Sequence, residues 1–384
     1  MDIILNGQQL YSQKFYVEAA KKGEFFKDYI PGPLPASEVG AWRKNFLGPT
    51  GSVASAGGSQ AIFQLPSRGT LLSDMYFEIT LGAVTGSYCP LVAWNSVTNV
   101  LIDTSGEQLH NYNLSGPSGV MNYFQTLWLN ETKLRYQTAA GGATPGAGTY
   151  YVPIPAFWTN FKHAGHEGMD HFQTPLPNLV LGAAPLNVTL TLNTVANMLA
   201  SGGSGGSITS CRLIYYEFVI DPKNARAIVD YVNSPNYLAF GFDWQSVSNT
   251  TVATGTSTLV DMSTLQGALK EIIVSTVLVS DNDTNHNVFN QQNLTACSLQ
   301  VDGVEIYKFS VLNENLMDQL IFNQSRIGVD PTYGSPLVIN FSKRRDDAAW
   351  DGDLNSDIYK KFIIYVTHAA GANCYVGVLG TFYR

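Results

Sequence analysis

The sequence predicts an all-β chain of two tandem β-sandwiches, with a few short helices and an N-terminal helical arm. Three observations carry this expectation: strand-like alternation recurs along the chain, helical periodicity is scarce, and the order of motifs in the first half is echoed in the second. A chain of 384 residues is too long for one ordinary sandwich and suits two domains.

Alternation is clearest in Ile62-Phe-Gln-Leu-Pro-Ser-Arg-Gly-Thr-Leu-Leu-Ser-Asp-Met-Tyr-Phe-Glu-Ile-Thr-Leu81. Met75, Phe77, Ile79 and Leu81 point one way, and Asp74, Tyr76, Glu78 and Thr80 the other, as a period of two requires. Leu186–Leu192 alternates without a fault, and Ile214, Tyr216, Phe218 and Ile220 share a face. Further strands are expected at Ile272–Val279, Leu299–Tyr307, Phe362–Val366 and Tyr375–Phe382. Helices are expected at Gln8–Lys27, Gly119–Leu129, Pro222–Tyr231 (opened by Asp221-Pro222) and Glu314–Phe322. So few helices among so many strands exclude alternating βαβ units. Ala54–Ser59, Ala139–Gly148 and Ser201–Ser207 read as Gly-rich loops, the last as a flexible hairpin tip.

The echo lies in order and spacing. Gly69-Thr-Leu71 precedes a strand, as Gly267-Ala-Leu269 does 198 residues later. The strand-turn-strand around Gly106 resembles the one around Gly303, 197 residues on. A short helical candidate follows each hairpin, and each half closes with two strands, the second starting at Cys211 or Cys374. Two copies of one sandwich, the second shorter, account for this pattern; two unrelated β segments are the alternative.

Hydrophobic residues make up 45% and aromatics 12%, enough for large cores. Charged residues make up only 14%, against roughly 25% in ordinary soluble domains. A surface so poor in charge is hard to keep dispersed and points to burial in an assembly, although a single β protein rich in Ser, Thr, Asn and Gly would share the composition. The net charge of −8 argues against direct nucleic-acid binding, since Lys343-Arg344-Arg345 is answered at once by Asp346-Asp347. Cys89, Cys211, Cys297 and Cys374 form no CxxC motif, and Cys211 and Cys374, which open apolar strand-like runs, read as buried free thiols. The start of the chain has no export-signal pattern, and no run approaches the roughly 18 apolar residues of a membrane span.

The strongest cluster for chemistry is His163, His166, Glu167, Asp170 and His171, a candidate divalent-metal set. Its His166-Glu-Gly-Met-Asp170 replaces the second His of a zinc-protease helix, and Gly165 and Gly168 disfavour helix, so an ordinary loop is the better account. Asp346, Asp347, Asp351 and Asp353 lack the spacing of an EF-hand and read as a solvated loop. No Gly-x-Ser-x-Gly elbow occurs. The expectation is therefore no enzyme, no cofactor, and no metal.

The segment Phe63–Ile79 resembles the opening strands of double jelly-roll major capsid proteins, the lineage of tectiviruses, adenoviruses and large DNA viruses. Four further stretches match the family in order: Val100–Leu109, Tyr151–Trp158, Pro175–Leu181 leading into Leu186–Leu192, and Ser335–Arg344. The likeness covers residues 60–384 and departs at Thr70, where many members carry Asp. The length is nearer to the short forms of membrane-containing icosahedral bacteriophages. The resemblance implies two tandem eight-stranded jelly-roll β-sandwiches. It divides the chain into an N-terminal arm (1–45), a first jelly roll (46–221), a connecting helix or linker (222–238) and a second jelly roll (239–384). It further implies a homotrimeric, pseudo-hexagonal capsomer in the outer shell of a virion, contacts with neighbouring capsomers and with minor capsid and vertex proteins, and an internal lipid membrane. Lys14, Phe15, Lys21, Lys22, Phe25 and Phe26 would then face that membrane or the base of the capsomer, where lysines mixed with apolar residues suit an interfacial helix; packing under a neighbouring subunit is the alternative. Tyr150, Tyr151, Phe157 and Trp158 are candidate interface anchors, with ordinary core packing as the alternative. A carbohydrate-binding or receptor-binding jelly roll, spike-like in role, is the competing function.

Overall fold

A computed structural model describes residues 4–5, 8–9, 39–66, 70–104, 107–117, 119, 138–156, 176–177, 185–220, 242–281, 292–314, 317, 336–341, 353–369 and 371–383. An N-terminal hairpin pairs β1 (Ile4–Leu5) with β2 (Gln8–Gln9). Then come β3 (Val39–Leu47), β4 (Gln60–Leu65), β5 (Thr70–Leu81), β6 (Val84–Thr85), β7 (Val97–Thr104), β8 (Glu107–Asn113), β9 (Gly148–Ile154), β10 (Leu176–Pro177), β11 (Leu186–Leu192), β12 (Ser204–Gly205) and β13 (Ile208–Ile220). The second half holds β14 (Phe242–Val252), β15 (Thr258–Asp261), β16 (Ala268–Leu278), β17 (Leu294–Val301), β18 (Val304–Phe309), β19 (Leu337–Asn340), β20 (Leu354–Asn355), β21 (Phe362–His368) and β22 (Cys374–Tyr383). Among the described residues of the first half are two single-turn helices, α1 (Val92–Asn95) and α2 (Val195–Met198); Thr194 caps the second by accepting from the Asn197 N–H.

The first half folds as one sheet of order β10-β5-β13-β3, with β9 also on β5, facing a sheet of order β4-β11-β7-β8. The second half repeats this order: β14-β22-β16-β19, with β20 also on β16, and β15-β21-β17-β18. Counting β9 with β10 and β19 with β20 as one position each gives eight strands per sandwich, and the interleaved antiparallel order is that of a jelly roll. The strand β11 (Leu-Asn-Val-Thr-Leu-Thr-Leu) shows why such segments pair. Leu186, Val188, Leu190 and Leu192 are buried, and Asn187 and the β-branched Thr189 and Thr191 fill the intervening positions. Across the first sandwich, Phe63 of one sheet meets Phe77 of the other edge-on at 6.3 Å. Both are fully buried, which contributes roughly 1.5–3 kcal/mol each.

The repeat holds in register. Ile102 pairs with His110 and Val100 with Tyr112; Leu299 pairs with Tyr307 and Cys297 with Phe309, each 197 residues later. Beyond the β8 and β18 strands the spacing changes. Val188 and Ile364, the next-strand partners of Ile102 and Leu299, are 176 residues apart, so the shortening of the second copy falls there. The β17–β18 hairpin turns on Asp302-Gly303, both at positive φ (48° and 82°). That is the backbone an Asp-Gly two-residue loop favours. The Asp302 carboxylate also accepts the Lys360 and Lys361 backbone N–H groups, tying the turn to the approach of β21.

Several expectations need correction. Gln8 and Gln9, assigned to the start of a helix, form a strand on Ile4–Leu5, whose ladder takes the backbone groups a helix would have used; the remainder of Gln8–Lys27 lies outside the described residues. Strand β3 starts at Val39 and pairs with β13, so the first sandwich takes in residues assigned to the arm. Ser201–Ser207 is no free tip, because Ser204–Gly205 pairs with Val84–Thr85. Gly119 sits in a bend, its N–H bonded to the Gly116 carbonyl, and not in a helix. Pro222–Tyr231 lies outside the described residues.

Candidate assembly surfaces

Each sandwich has an outer face on its larger sheet, and the two outer faces have opposite fates. In the second sandwich one cross-strand row runs Ser246, Leu379, Ile273, Val338 across β14, β22, β16 and β19. Leu379, Ile273 and Val338 are at most 2% exposed, and with Trp244 they belong to the core of the first sandwich, not the second. Trp244 meets Tyr112 of β8 edge-on, 5.5 Å between ring centroids. His110 stacks on Tyr112 from the other side at 5.0 Å. The outer face of the second sandwich is therefore sealed against the β8 edge of the first. Polar residues are sealed with it. Glu271 is 1% exposed and accepts from Thr381, whose Oγ1 lies 3.5 Å from Oε1.

The equivalent row in the first sandwich runs Phe46, Ile214, Tyr76, Pro153 across β3, β13, β5 and β9. Here, among the described residues, the row is left partly open. Ile214 is buried beneath longer neighbours, but Phe46 is 56% and Tyr151 38% exposed. Tyr76 meets Tyr151 at 5.9 Å and Tyr216 at 6.2 Å. The Lys44 ammonium lies 5.3 Å from the Phe46 ring and 5.4 Å from Tyr76, and the Arg212 guanidinium 5.0 Å from Phe46. A hydrogen bond to Tyr76 holds the Lys44 ammonium above the ordinary lysine value. Burial pushes the Tyr76 phenol up as well. Arg212 grips Glu78 with both prongs, Nε–Oε1 2.5 Å and Nη2–Oε2 3.0 Å. Nearby, Arg43 and Asn45 converge on Oε1 of Glu217, which is 1% exposed; Asn45 Nδ2 donates at 2.8 Å and Arg43 Nε at 2.6 Å. The result is a fixed aromatic and cationic surface, the composition favoured at the centre of protein interfaces.

A second exposed apolar strip lies on the other sandwich. Val304 (64%) and Ile306 (44%) project from β18, with Val311 (58%) and Met317 (54%) just beyond it. On the inner side of the same strand Phe309 is buried and meets Tyr307 at 6.2 Å.

The chemically reactive groups are elsewhere. His163, His166, Glu167, Asp170 and His171 lie outside the described residues, as do Lys14, Phe15, Lys21, Lys22, Phe25, Phe26, Phe157, Trp158 and Asp346, Asp347 and Asp351. Among the described residues no group of three His, Cys, Asp or Glu could hold a metal, and no helix is long and apolar enough to cross a membrane. All four cysteines are free; Cys211, expected buried, is half-buried. A Cys374–His368 pair, missed in the sequence because the two residues flank a turn, lies inside the second sandwich. His368 Nε2 is 2.9 Å from the Val252 carbonyl, and Nδ1 is 3.6 Å from the Cys374 sulfur. With Nε2–H donating to the carbonyl, Nδ1 accepts the thiol proton. Burial raises the Cys374 thiol to about 11, so the pair is a packing contact and not an activated nucleophile.

Tyr150 and Tyr151 split between the two roles considered for them. Tyr150 packs on the core and donates to the Gly146 carbonyl at 2.9 Å, while Tyr151 joins the exposed aromatic surface.

No family profile matches the chain, and no curated protein matches it. Solved structures do match its fold. PBCV-1 VP54, fitted into a reconstruction of the virophage Sputnik, shares 12% identity over 90% of this chain and 94% of its own, with a TM-score of 0.63. The Faustovirus major capsid protein shares 11% identity over 97% and 96%, with a TM-score of 0.61. The STIV MCP shares 12% over 89% and 97%, with a TM-score of 0.55. At such identities the likeness establishes a fold, and it spans both sandwiches of each chain.

Proposed function

We propose that the chain is a viral major capsid protein, the structural subunit of an icosahedral outer shell. The observation that carries this reading is the end-to-end match of a tandem double jelly roll to the Faustovirus major capsid protein, with 97% of one chain aligned to 96% of the other. A lone receptor-binding or carbohydrate-binding jelly roll has no need of two copies locked together through Trp244 and Tyr112. The role is mechanical and not enzymatic. Two interleaved sheets per sandwich make stiff blocks, and a low density of charge limits the cost of burying surface side by side.

On this reading three chains form a homotrimeric capsomer with a pseudo-hexagonal outline, six sandwiches around a threefold axis. Capsomers pack against one another and against minor capsid and vertex proteins. The residues before the first sandwich lie at the base, over an internal lipid membrane, with Lys14, Phe15, Lys21, Lys22, Phe25 and Phe26 as the contact residues. The genome is not contacted directly, in keeping with the net charge of −8.

Negative-stain microscopy of the purified protein tests the proposal. Hexagonal particles of three chains are expected, and a monodisperse monomer at every concentration refutes it. Deleting residues 1–30 is expected to leave trimers in solution and to block particle formation; normal particles from the truncated chain refute the basal role of the arm.

A further inference from the structure

The tripeptide Asn113-Leu114-Ser115 has the form Asn-x-Ser, the acceptor pattern for attachment of a sugar to an asparagine amide. The pattern is short and recurs by chance, so geometry must decide whether a given copy is able to react. At this one β8 ends and the chain turns. Leu114 is buried in the core of the first sandwich, and its N–H donates to the Thr98 carbonyl at 2.9 Å. The middle residue is thus anchored, while Asn113 and Ser115 on either side of it are both exposed. Asn113 Oδ1 accepts from the Ser115 N–H at 3.0 Å and from the Ser115 hydroxyl at 2.9 Å. These two bonds hold the carboxamide in one orientation and commit its oxygen. They leave Nδ2 without a partner among the described residues. Two other copies have side chains described throughout, and both fail on the same criteria. Asn187 is half-buried, donates from Nδ2 to Asp103 Oδ1 at 2.8 Å, and is followed by a buried Thr189. Asn293 is exposed, but the Thr295 hydroxyl is spent on the Thr367 carbonyl of β21 at 3.2 Å.

We infer that Asn113 is a site of N-linked glycan attachment. The site goes beyond the capsid-subunit reading and does not depend on it. The donor is a sugar carried on a phosphate leaving group, and a transferase brings the two together. Asn113 Nδ2 attacks the anomeric carbon and a C–N bond forms. The bond from that carbon to the phosphate oxygen breaks, the phosphate leaves with the electron pair, and the amide proton passes to a base of the transferase. The exposed Ser115 hydroxyl is the second group the transferase reads. The product suits the composition of this chain. With charged residues at only 14%, little charge is present to keep an exposed turn hydrated, and a sugar adds bulk and hydroxyls there without adding charge.

The test uses the folded full-length chain, a soluble N-glucosyltransferase specific for Asn-x-Ser/Thr, and UDP-glucose as the sugar donor. The product is digested and read by mass spectrometry, and folding of every variant is checked by circular dichroism. One hexose is expected on the peptide that carries Asn113. Asn187 and Asn293 are expected to stay bare in the folded chain and to be modified when the chain is digested before the reaction. Asn113→Gln and Ser115→Ala are expected to lose the hexose, and Ser115→Thr to keep it. A folded chain in which Asn113 stays bare, or in which Asn187 or Asn293 reacts as fast as Asn113, overturns the assignment. A Ser115→Ala variant that is modified as fast as the wild type overturns the part given to the hydroxyl. In protein recovered from particles the same peptide is expected to carry a sugar mass; a wholly bare peptide there overturns the inference and leaves the capsid reading untouched.

Discussion

The larger sheets of the two sandwiches share strand order and register, yet they present opposite surfaces. Ile273, Leu379 and Val338 are shut inside the molecule, and Trp244 closes over Tyr112. At the same places the first sandwich sets Tyr76, Ile214 and Pro153, roofed by Phe46, Lys44 and Arg212. Core-like aliphatics serve a contact that forms once, during folding, and never meets water again. Aromatics and cations suit a surface that stays in contact with water, because their polar tips remain hydrated while their rings pack on one another. The comparison teaches that two copies of one fold can give the same sheet a sealed or an open outer face, according to what packs over it.

The strongest way to break this contrast is at its sealed half. Trp244→Ala removes the ring that closes the first core and is expected to cost about 3–5 kcal/mol. Urea unfolding should then separate into two transitions, because the sandwiches lose the contact that couples them; a single unshifted transition counts against the coupling. A matched pair sharpens the contrast. Ile273→Ala is expected to lower stability by about 2–4 kcal/mol, whereas Tyr76→Ala at the equivalent place should cost the isolated chain no more than about 1 kcal/mol. Equal losses in the two variants would show that the outer faces are not differently employed.

Smaller effects probe what holds the exposed face rigid. Glu217 is buried and receives both Arg43 and Asn45, so Glu217→Gln is expected to cost about 2 kcal/mol, seen as a lowered melting temperature. Arg212 is half-exposed, and Arg212→Ala is expected to leave the melting temperature almost unchanged while loosening Phe46. Least visible of all is thiol chemistry. Burial raises the Cys89 and Cys211 thiols to about 11 and pushes the Cys297 thiol up further still. At pH 8 a disulfide reagent should modify the native protein slowly, at half-buried Cys211 first, and all four sites only after denaturation. Rapid labelling of Cys297 or Cys374 would mean that the second core opens readily.

Much of the fold was legible because strands announce themselves locally. Leu186–Leu192 and Met75–Leu81 alternate so regularly that their apolar residues share one face, and the structure turns that face into the core. Asp302-Gly303 and the spacing of the glycines at 106 and 303 gave the hairpin and the repeat. At β13 alternation does not choose the core face: Ile214 and Tyr216 share a face, as expected, but not the one that joins the core. Leu213 and Tyr215 point inward instead, and both faces of that strand are apolar enough for pattern alone to leave the choice open. The same ambiguity covers β16, whose residues from Leu269 to Val277 are all buried.

The sequence by itself determined the strand content, the duplication and the shorter second copy, since these depend on residue type and spacing along the chain. The tertiary structure alone decided which apolar face of β13 and β16 is core and which is contact surface. It also decided that the two outer faces have unequal fates. The physical reason is that burial is a property of what arrives from elsewhere in the chain. Ile273 is sealed because the core of the first sandwich lies against its sheet, and Tyr76 is left half-exposed because, among the described residues, only neighbours on its own sheet pack on it.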